Sequence, residues 1–283
     1  MKKLLPLLLL ILIGCSEPEP INVDTMLIER NDVYYTKDTN QPYSGPVFEE
    51  HFLEEYKGKK WREYYLKSGK KDGIFIEYHL SGGKIYQEGP YKNGEREGIW
   101  KYYYENGQLF EQGNFIKGGP FNGEKDGNWK TFYEDGQLLK DTNYDNGKVD
   151  GPYKSYYENG QLQEEGVFFK PDSLRSVFSV YKKYKLYYEN GQLWEEGTVE
   201  RGELDGPYKE YYENGQLSKE GTYKDGIQDG PWKSYYDNGQ LKFEGLLKDG
   251  KLDGGPFKLY NENGKLKQEG TWKDGELIEQ KVY

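Results

Sequence analysis

Cysteine and histidine, the usual nucleophile and general base of covalent catalysis, are scarce in this chain. The 283 residues include one cysteine, Cys15, and two histidines, His51 and His79. An activated nucleophile needs a base within hydrogen-bond reach, and these two histidines do not have the spacing of paired metal ligands. With a single cysteine, a disulfide framework is also excluded. These residues predict neither nucleophilic catalysis nor a cysteine or histidine metal site.

Carboxylates are plentiful, with 49 Asp and Glu residues, but they recur at equivalent positions of a repeat. A glycosidase needs one unique pair of carboxylates, whereas Asp205, Asp229 and Asp253 each precede a glycine in copies of the same turn. Each such turn offers fewer carboxylates than a calcium-binding loop, and Asp before Gly favours a turn. We therefore predict a protein that is not an enzyme and needs no cofactor or metal.

Aromatic residues are the third candidate for chemistry: the chain has 29 Tyr, 12 Phe and 6 Trp. Regularly spaced rings can stack on a ligand face or enclose a cation. The rhythm is similar to that of the choline-binding and glucan-binding repeats of bacterial surface proteins, although their Gly-Trp opening is missing. The other interpretation is that these rings are packing material in a chain with only 34% hydrophobic residues.

The elements that position these residues are repeats. The heptad YYENGQL occurs at 103–109, 156–162, 187–193 and 211–217, and YYDNGQL occurs at 235–241. Nine turn glycines follow each other at intervals of 24 to 31 residues: Gly58, Gly83, Gly107, Gly136, Gly160, Gly191, Gly215, Gly239 and Gly264. A second mark, Gly-x-x-acid-Gly, lies between most of them. Two turn signals alternating about every 12 residues indicate two short strands per repeat.

The residue pairs predicted around each heptad support a β-hairpin. Asn-Gly between alternating residues is typical of a two-residue type I′ turn. Counting outwards from Asn214-Gly215 predicts the pairs Tyr212–Leu217, Tyr211–Ser218, Glu210–Lys219, Lys209–Glu220 and Tyr208–Gly221. In these pairs Lys and Glu side chains of opposite charge face each other, and the ring of Tyr208 lies over Gly221, which has no side chain. The same count in the other repeats gives the same kinds of pairs, so the register is strongly specified.

A single hairpin is marginally stable, so the hairpins must stack edge to edge. We predict an all-β fold: an elongated repeat solenoid of stacked antiparallel β-hairpins, with about nine repeats of about 24 residues. About eighteen strands at roughly 4.8 Å each give a sheet on the order of 85 Å long. One face is expected to be aromatic and the other to carry the Lys–Glu pairs.

The N-terminus is typical of an exported protein. MKKLLPLLLLILIGC combines two lysines with a short apolar run, which indicates a signal peptide. The ending Leu-Ile-Gly-Cys resembles the lipobox of bacterial lipoproteins, which implies cleavage before Cys15 and a diacylglycerol on its sulfur. The predicted organisation is a lipoprotein signal peptide at 1–14, the lipidated Cys15 and a tether at 15–26, and the repeat domain at 27–283.

Charge limits the partners. Removing residues 1–14 takes away Lys2 and Lys3 and no acidic residue, so the formal charge moves from −10 to −12. Such an acidic body disfavours nucleic acid and anionic membrane surfaces. We expect the membrane contact to be the lipid at Cys15, in the bacterial cell envelope. In a Gram-negative cell Ser16 resembles the outer-membrane-sorted class.

The most individual segment is an irregular insertion at about 167–185, where the Gly-x-x-acid-Gly mark is missing. A departure from a repeat is either a docking site for a specific partner or sequence drift without a function, and both interpretations stand. The predicted interaction surface combines this insertion with the first tyrosine of two heptads: Phe168, Phe169, Arg175, Phe178, Tyr181, Tyr211 and Tyr235. A protein partner of unknown identity is expected.

The motif EGTYKDGIQDGPW at 220–232, together with YYENGQL, resembles the bacterial variant of the MORN repeat. This family often carries the label of a YwqK-type toxin–antitoxin antitoxin. The resemblance spans about residues 27–283 and implies stacked hairpins and a role in protein or surface interaction, without catalytic residues. An antitoxin or immunity role is a further alternative, although an exported lipoprotein is misplaced for neutralising a cytoplasmic toxin.

Overall fold

A computed structural model of the chain describes residues 18–81, 83–117, 123–169 and 180–283. The first elements are β1 (Ile21–Asn22), α1 (Val23–Met26), β2 (Leu27–Arg30), β3 (Val33–Thr36), β4 (Gly45–Glu50) and a 3-10 turn (Glu54–Tyr56). The remaining strands are β5 (Lys60–Lys67), β6 (Lys70–Tyr78), β7 (Ile85–Lys92), β8 (Glu95–Arg96), β9 (Gly98–Tyr103), β10 (Leu109–Ile116), β11 (Glu124–Phe132), β12 (Leu138–Asp145), β13 (Lys148–Tyr156), β14 (Leu162–Phe169), β15 (Val180–Tyr187), β16 (Leu193–Glu200), β17 (Glu203–Tyr211), β18 (Leu217–Lys224), β19 (Ile227–Gln228), β20 (Gly230–Tyr235), β21 (Leu241–Lys248), β22 (Lys251–Leu252), β23 (Gly255–Tyr260), β24 (Leu266–Lys273) and β25 (Glu276–Val282).

These strands form one long antiparallel meander. From β5 to β25 each long strand pairs with the long strand before it in the chain. The short strands β8, β19 and β22 pair with the same neighbour as β9, β20 and β23, which follow them. β1 adds to β4 in parallel, and β2 with β3 forms a separate hairpin. The predicted all-β fold of stacked hairpins is confirmed, because alternating side chains and regular glycines favour short strands joined by tight turns.

The heptad loops differ from the predicted type I′ turn. The Tyr212 amide donates to the Gln216 carbonyl at 2.8 Å, and the Gly215 amide donates to the Tyr212 carbonyl at 2.8 Å. Gly215 has a φ of +81°, whereas Asn214 keeps a negative φ. This is a three-residue loop, a turn followed by a left-handed glycine. The I′ prediction is wrong here because Asn214 uses its side chain to accept from the Gln216 amide at 2.9 Å, which closes the loop differently.

The longer loop shifts the register beside the turn. The predicted outer pairs Glu210–Lys219, Lys209–Glu220 and Tyr208–Gly221 are confirmed. Close to the turn the prediction is wrong, because Tyr211 lies opposite Leu217 and Ser218 is left over as a bulge. The same shift recurs around the heptads of β13–β14, β15–β16, β20–β21 and β23–β24.

Type I′ turns occur instead at the opposite edge of the sheet. Asp225 and Gly226 have φ values of +48° and +80° and connect the paired residues Lys224 and Ile227. Equivalent two-residue turns are Asn93-Gly94, Asn146-Gly147, Arg201-Gly202, Asp249-Gly250 and Asp274-Gly275. We call the two edges the heptad edge and the I′ edge. The first glycine of the Gly-x-x-acid-Gly mark therefore makes the turn, and the second, such as Gly230 with a φ of +110°, interrupts the following strand.

The core lies along one face of the sheet, which we call the inner face. Trp100, Trp129 and Trp232 are buried there, with exposed fractions of 0%, 1% and 6%. Trp232 lies opposite Gly245 of its own hairpin, as predicted, but its ring covers Gly221 of the preceding repeat. Trp100 and Trp129 likewise cover glycines of the preceding repeat, whereas Tyr184 and Phe257 cover the glycine of their own hairpin. The tryptophans therefore join consecutive repeats.

This core is divided into two clusters along the array. One cluster of buried side chains extends from Val23 to Trp129, and a second centres on Tyr208, Trp232 and Leu247. Between Trp129 and Tyr208, no aromatic side chain of the described residues is fully buried. The middle of the array is where the sequence repeat is also irregular.

Candidate functional site

The opposite face, the outer face, carries a ladder of alternating charge. Its members each lie opposite the next on consecutive strands: Lys130, Asp141, Lys154, Glu165, Lys185, Glu196, Lys209, Glu220, Lys233, Glu244, Lys258, Glu269 and Lys281. Two of the resulting ion pairs, Lys154–Glu165 and Lys185–Glu196, have N–O distances of 3.6 Å and partly exposed side chains. Exposed pairs contribute about 0–1 kcal/mol each, so the ladder mainly fixes register.

In four of the five heptads the first tyrosine donates to a glutamate on this face. The Tyr211 hydroxyl donates to Glu196 at 3.2 Å, and the Tyr235 hydroxyl donates to Glu220 at 2.7 Å. The same bond joins Tyr103 to Glu88, Tyr187 to Glu165 and Tyr260 to Glu244. Burial, together with the charge of the neighbouring glutamate, raises the pKa of Tyr211 to about 12 and the pKa of Tyr235 to about 12.

The second tyrosine reaches the next repeat. The Tyr212 hydroxyl donates to the backbone carbonyl of Tyr235 at 2.8 Å. Equivalent bonds run from Tyr104, Tyr133, Tyr157, Tyr188 and Tyr236 to the following hairpin. Asn214 adds a bond from its side-chain nitrogen to the Asp237 carbonyl at 2.7 Å. The polar atoms of the heptad thus bind neighbouring repeats, which identifies the heptad as a folding unit.

A groove of about 510 Å³ crosses the outer face at β13–β17. Its lining includes Pro152, Val167, Thr198 and Pro207, which supply apolar surface. It also includes four lysines and two glutamates: Lys154, Lys183, Lys185, Lys209, Glu165 and Glu196. The groove lies at the irregular middle of the array.

The groove is cationic within an acidic protein. Four lysines face two glutamates in the lining, whereas the whole chain has a formal charge of −10. Lys154 and Lys185 are in ion pairs with Glu165 and Glu196. Within the described ranges, Lys183 and Lys209 are exposed and have no ion-pair or hydrogen-bond partner. The predicted insertion at about 167–185 contributes Val167, Lys183 and Lys185 to this groove. The rest of the lining was not predicted from the sequence, because it comes from five strands that are brought together by stacking of the repeats.

The predicted interaction residues are divided among different places. Phe168 is half-buried, and its ring lies 5.4 Å from the ring of Tyr153. Phe169 and Tyr181 belong to β14 and β15, which continue as paired strands into both ends of the predicted insertion. Tyr211 and Tyr235 lie on the outer face, bonded to the charge ladder. Arg175, Phe178 and Cys15 lie outside the described residues, as do the predicted signal peptide at 1–14 and residues 15–17 of the predicted tether.

Two kinds of feature are absent from the same described ranges. No group of three or more His, Cys, Asp or Glu side chains is arranged there to hold a metal ion. No helix in those ranges has the length and apolar character needed to cross a membrane.

The geometry defines a protein built from repeated β-hairpins, and the comparison with protein families agrees. Seven segments match the model of the MORN repeat variant: 96–117, 125–146, 149–170, 182–200, 204–225, 228–249 and 253–274. Together they cover more than half of the chain, so the protein belongs to the MORN repeat variant family. Each segment contains one heptad hairpin; the segment 204–225, for example, begins after the I′-edge turn at Gly202 and ends at Asp225 of the next such turn. No curated protein matches the chain.

Solved structures show weaker likenesses. A porin-like protein from Bacteroides uniformis aligns with 84% of this chain and 96% of its own, at 7% identity and a TM-score of 0.21. The Tc holotoxin pore of Photorhabdus luminescens aligns with 91% of this chain at 11% identity and a TM-score of 0.23, and the alignment covers 16% of that chain. TM-scores of this size do not define a common fold.

Proposed function

We propose that the protein is a non-enzymatic, lipid-anchored repeat protein of the bacterial cell envelope that acts as a scaffold for protein interaction. The observation that carries this proposal is that the two faces of the sheet have different roles. The inner face and the second tyrosines are used in packing between repeats, whereas the outer face presents a partly exposed ladder and a cationic groove. A broad exposed face on a rigid array is the usual binding surface of repeat proteins.

Anchoring is supported by the lipobox-like sequence ending in Cys15. The test compares the full-length chain with Cys15→Ala and, as a matched control, Ser16→Ala, expressed in a Gram-negative host with labelled palmitate. Wild type and Ser16→Ala are expected to carry label and to sediment with membranes. Cys15→Ala is expected to lose both properties. Label that persists in Cys15→Ala, or a wild-type chain without label, contradicts the anchor.

The interaction surface is tested by photo-cross-linking in intact cells. A benzophenone amino acid is placed at Lys233 on the outer-face ladder and, as control, at Lys224 near the I′ edge. We expect a discrete protein adduct from position 233 and none from position 224. Equal adducts from both positions, or none from position 233, would argue against an interaction face on the ladder.

Carbohydrate or choline binding is the weaker alternative, because rings such as Tyr208 and Trp232 pack against each other on the inner face at 6.0 Å. Ligand stacking needs a ring face open to solvent. An antitoxin or immunity role predicts a toxin or effector gene beside this one and toxicity on its loss. Inspection of the neighbouring genes separates that role from the scaffold.

A further inference from the structure

The groove is lined by two rows of outer-face side chains and by the row that lies between them: Tyr153, Gly166, Tyr184, Gly197 and Tyr208. One row runs through Pro152, Val167, Lys183 and Thr198, which lie opposite one another on β13–β16. The second row is the part of the charge ladder from Lys154 to Lys209. Aliphatic surface and charged groups therefore alternate across five strands, over about 19 Å at roughly 4.8 Å per strand.

Each of the two rows contains one lysine that has no ion-pair partner among the described residues. In the ladder, Glu165 and Glu196 are held by Lys154 and Lys185. Lys209 lies between Glu196 and Glu220 in register, but its ammonium forms no ion pair with a described residue, and neither does that of Lys183. These two lysines stand on β15 and β17, two strands apart, which is roughly 10 Å.

We propose that the groove binds an extended acidic segment of a partner protein, with carboxylates on Lys183 and Lys209 and small apolar side chains on Pro152, Val167 and Pro207. An extended chain advances about 3.3 Å per residue. About six residues would fill the groove, and acidic residues three positions apart would match the two lysines. This inference deepens the proposed scaffold function by naming the chemistry of its partner.

A protein segment fits the groove better than an anionic polysaccharide. Sugar rings are usually held by exposed aromatic platforms. Tyr184 and Tyr208 belong to the lining of this groove, but their hydroxyls are directed to carboxylates: Tyr184 donates to Glu195, and the Tyr208 hydroxyl lies within hydrogen-bond distance of Glu195 and Glu210. Neither glutamate belongs to the groove lining. The groove instead offers proline, valine and threonine surface beside cations, which suits a peptide of alternating acidic and small apolar residues.

The test uses the full-length chain and a fluorescein-labelled peptide, acetyl-EVTEVE-amide, with acetyl-QVTQVQ-amide as the uncharged probe. Fluorescence anisotropy is measured for wild type, for Lys183→Gln with Lys209→Gln, and for Lys224→Gln with Lys248→Gln. The Lys224/Lys248 double variant changes the net charge by the same amount as the Lys183/Lys209 double variant, but at exposed lysines outside the groove. Far-UV circular dichroism confirms that the three chains retain the same fold.

We expect the acidic peptide to bind wild type and the Lys224/Lys248 variant alike, and to bind the Lys183/Lys209 variant about tenfold more weakly. Binding should weaken with added salt, and the uncharged peptide should not bind. Equal binding by all three chains overturns the proposal. So does tighter binding of a heparin-derived hexasaccharide, which would assign the groove to a glycan.

Two further experimental outcomes separate this inference from the scaffold proposal. Light scattering that shows a wild-type dimer, lost in the Lys183/Lys209 variant, would assign the groove to a second copy and overturn the peptide proposal. If the peptide binds as expected while position 233 yields no adduct in cells, the groove chemistry stands and the envelope scaffold fails. If position 233 yields adducts in cells but the peptide does not bind, the envelope scaffold stands and the groove proposal fails.

Discussion

At the scale of single residues, small side chains decide where the large ones lie. Gly221 leaves room for the ring of Trp232 from the next repeat, and Gly113 does the same for Trp129. A glycine in a strand is costly unless it is covered by a neighbour. Here the cover is the tryptophan that joins two hairpins, so both residues serve the same contact.

Gly221→Ala tests this contact. The added methyl group would overlap the Trp232 ring, which must move, and overpacking of this kind costs about 1–3 kcal/mol. Gly255→Ala is the control, because its methyl group would meet Leu246 at an ordinary 3.5 Å. Urea denaturation monitored by tryptophan fluorescence should show a lower midpoint for Gly221→Ala only. Equal midpoints would contradict the assigned contact.

The tyrosine–glutamate bonds predict alkaline unfolding. Tyr211 and Tyr235 have pKa values of about 12 in the folded chain, against about 10 when unfolded. Their contribution to stability is complete below pH 10 and is lost as the pH rises from about 10 to about 12, because the unfolded chain then releases protons more readily. Tyrosinate absorbance at 295 nm should rise together with the loss of near-UV circular dichroism. Ionisation of these residues near pH 10 in a folded chain would contradict the prediction.

At the scale of elements, the two edges of the sheet use different turns. The I′ edge has two residues with positive φ in each turn, whereas the heptad edge has one left-handed glycine and a capping asparagine. The extra residue on the heptad edge makes the bulge and frees the asparagine to bond the next loop. The heptad edge is therefore linked along the array.

Asn214→Ala tests this link. The substitution removes the bonds to the Gln216 amide and to the Asp237 carbonyl, and a hydrogen bond contributes about 0.5–1.5 kcal/mol. We expect a free energy of unfolding lower by about 1 kcal/mol. Glu213→Ala, an exposed change in the same loop, should change it by less than about 0.5 kcal/mol. A similar loss of unfolding free energy for both variants would contradict a specific role of Asn214, because any substitution in the loop would then be destabilising.

At the scale of the whole molecule, each repeat contacts mainly its neighbours in the array. Strands from β4 to β25 pair in chain order, and the inner face has two separate clusters of buried residues. Stability in such an array is approximately a sum of repeat and interface contributions. Whole repeats are therefore the units that can be removed.

Deletion of residues 217–240 should leave a folded, shorter array. It joins Gln216 to Leu241 and restores the heptad sequence, with strand directions unchanged. Deletion of residues 217–228 is the control, since it removes β18 and the turn after it and leaves the next strand beginning at the wrong edge. Size-exclusion chromatography and far-UV circular dichroism should show a soluble β protein for the first deletion and an aggregated chain for the second. Equal behaviour would contradict a modular array.

Much of this architecture follows from the sequence itself. Lys–Glu and aromatic–glycine pairs at fixed distances from each Asn-Gly specify strand order, register and the two faces, because a shift by one residue would reverse every pair. The exception is the turn: an asparagine that bonds the next hairpin favours a longer loop, and a single hairpin contains no information about its neighbour. The sequence alone also indicates the signal peptide and the lipobox at Cys15, which remain predictions.

Other features depend on the tertiary structure. Which glycine each tryptophan covers is decided by the stacking of repeats, since the ring of Trp232 can reach either neighbour. The cationic groove likewise arises from five strands whose lysines are 55 residues apart in the chain at the extremes, Lys154 and Lys209. Sequence periodicity reports which residues share a face, but curvature and the choice of ion-pair partners depend on how all the strands pack together.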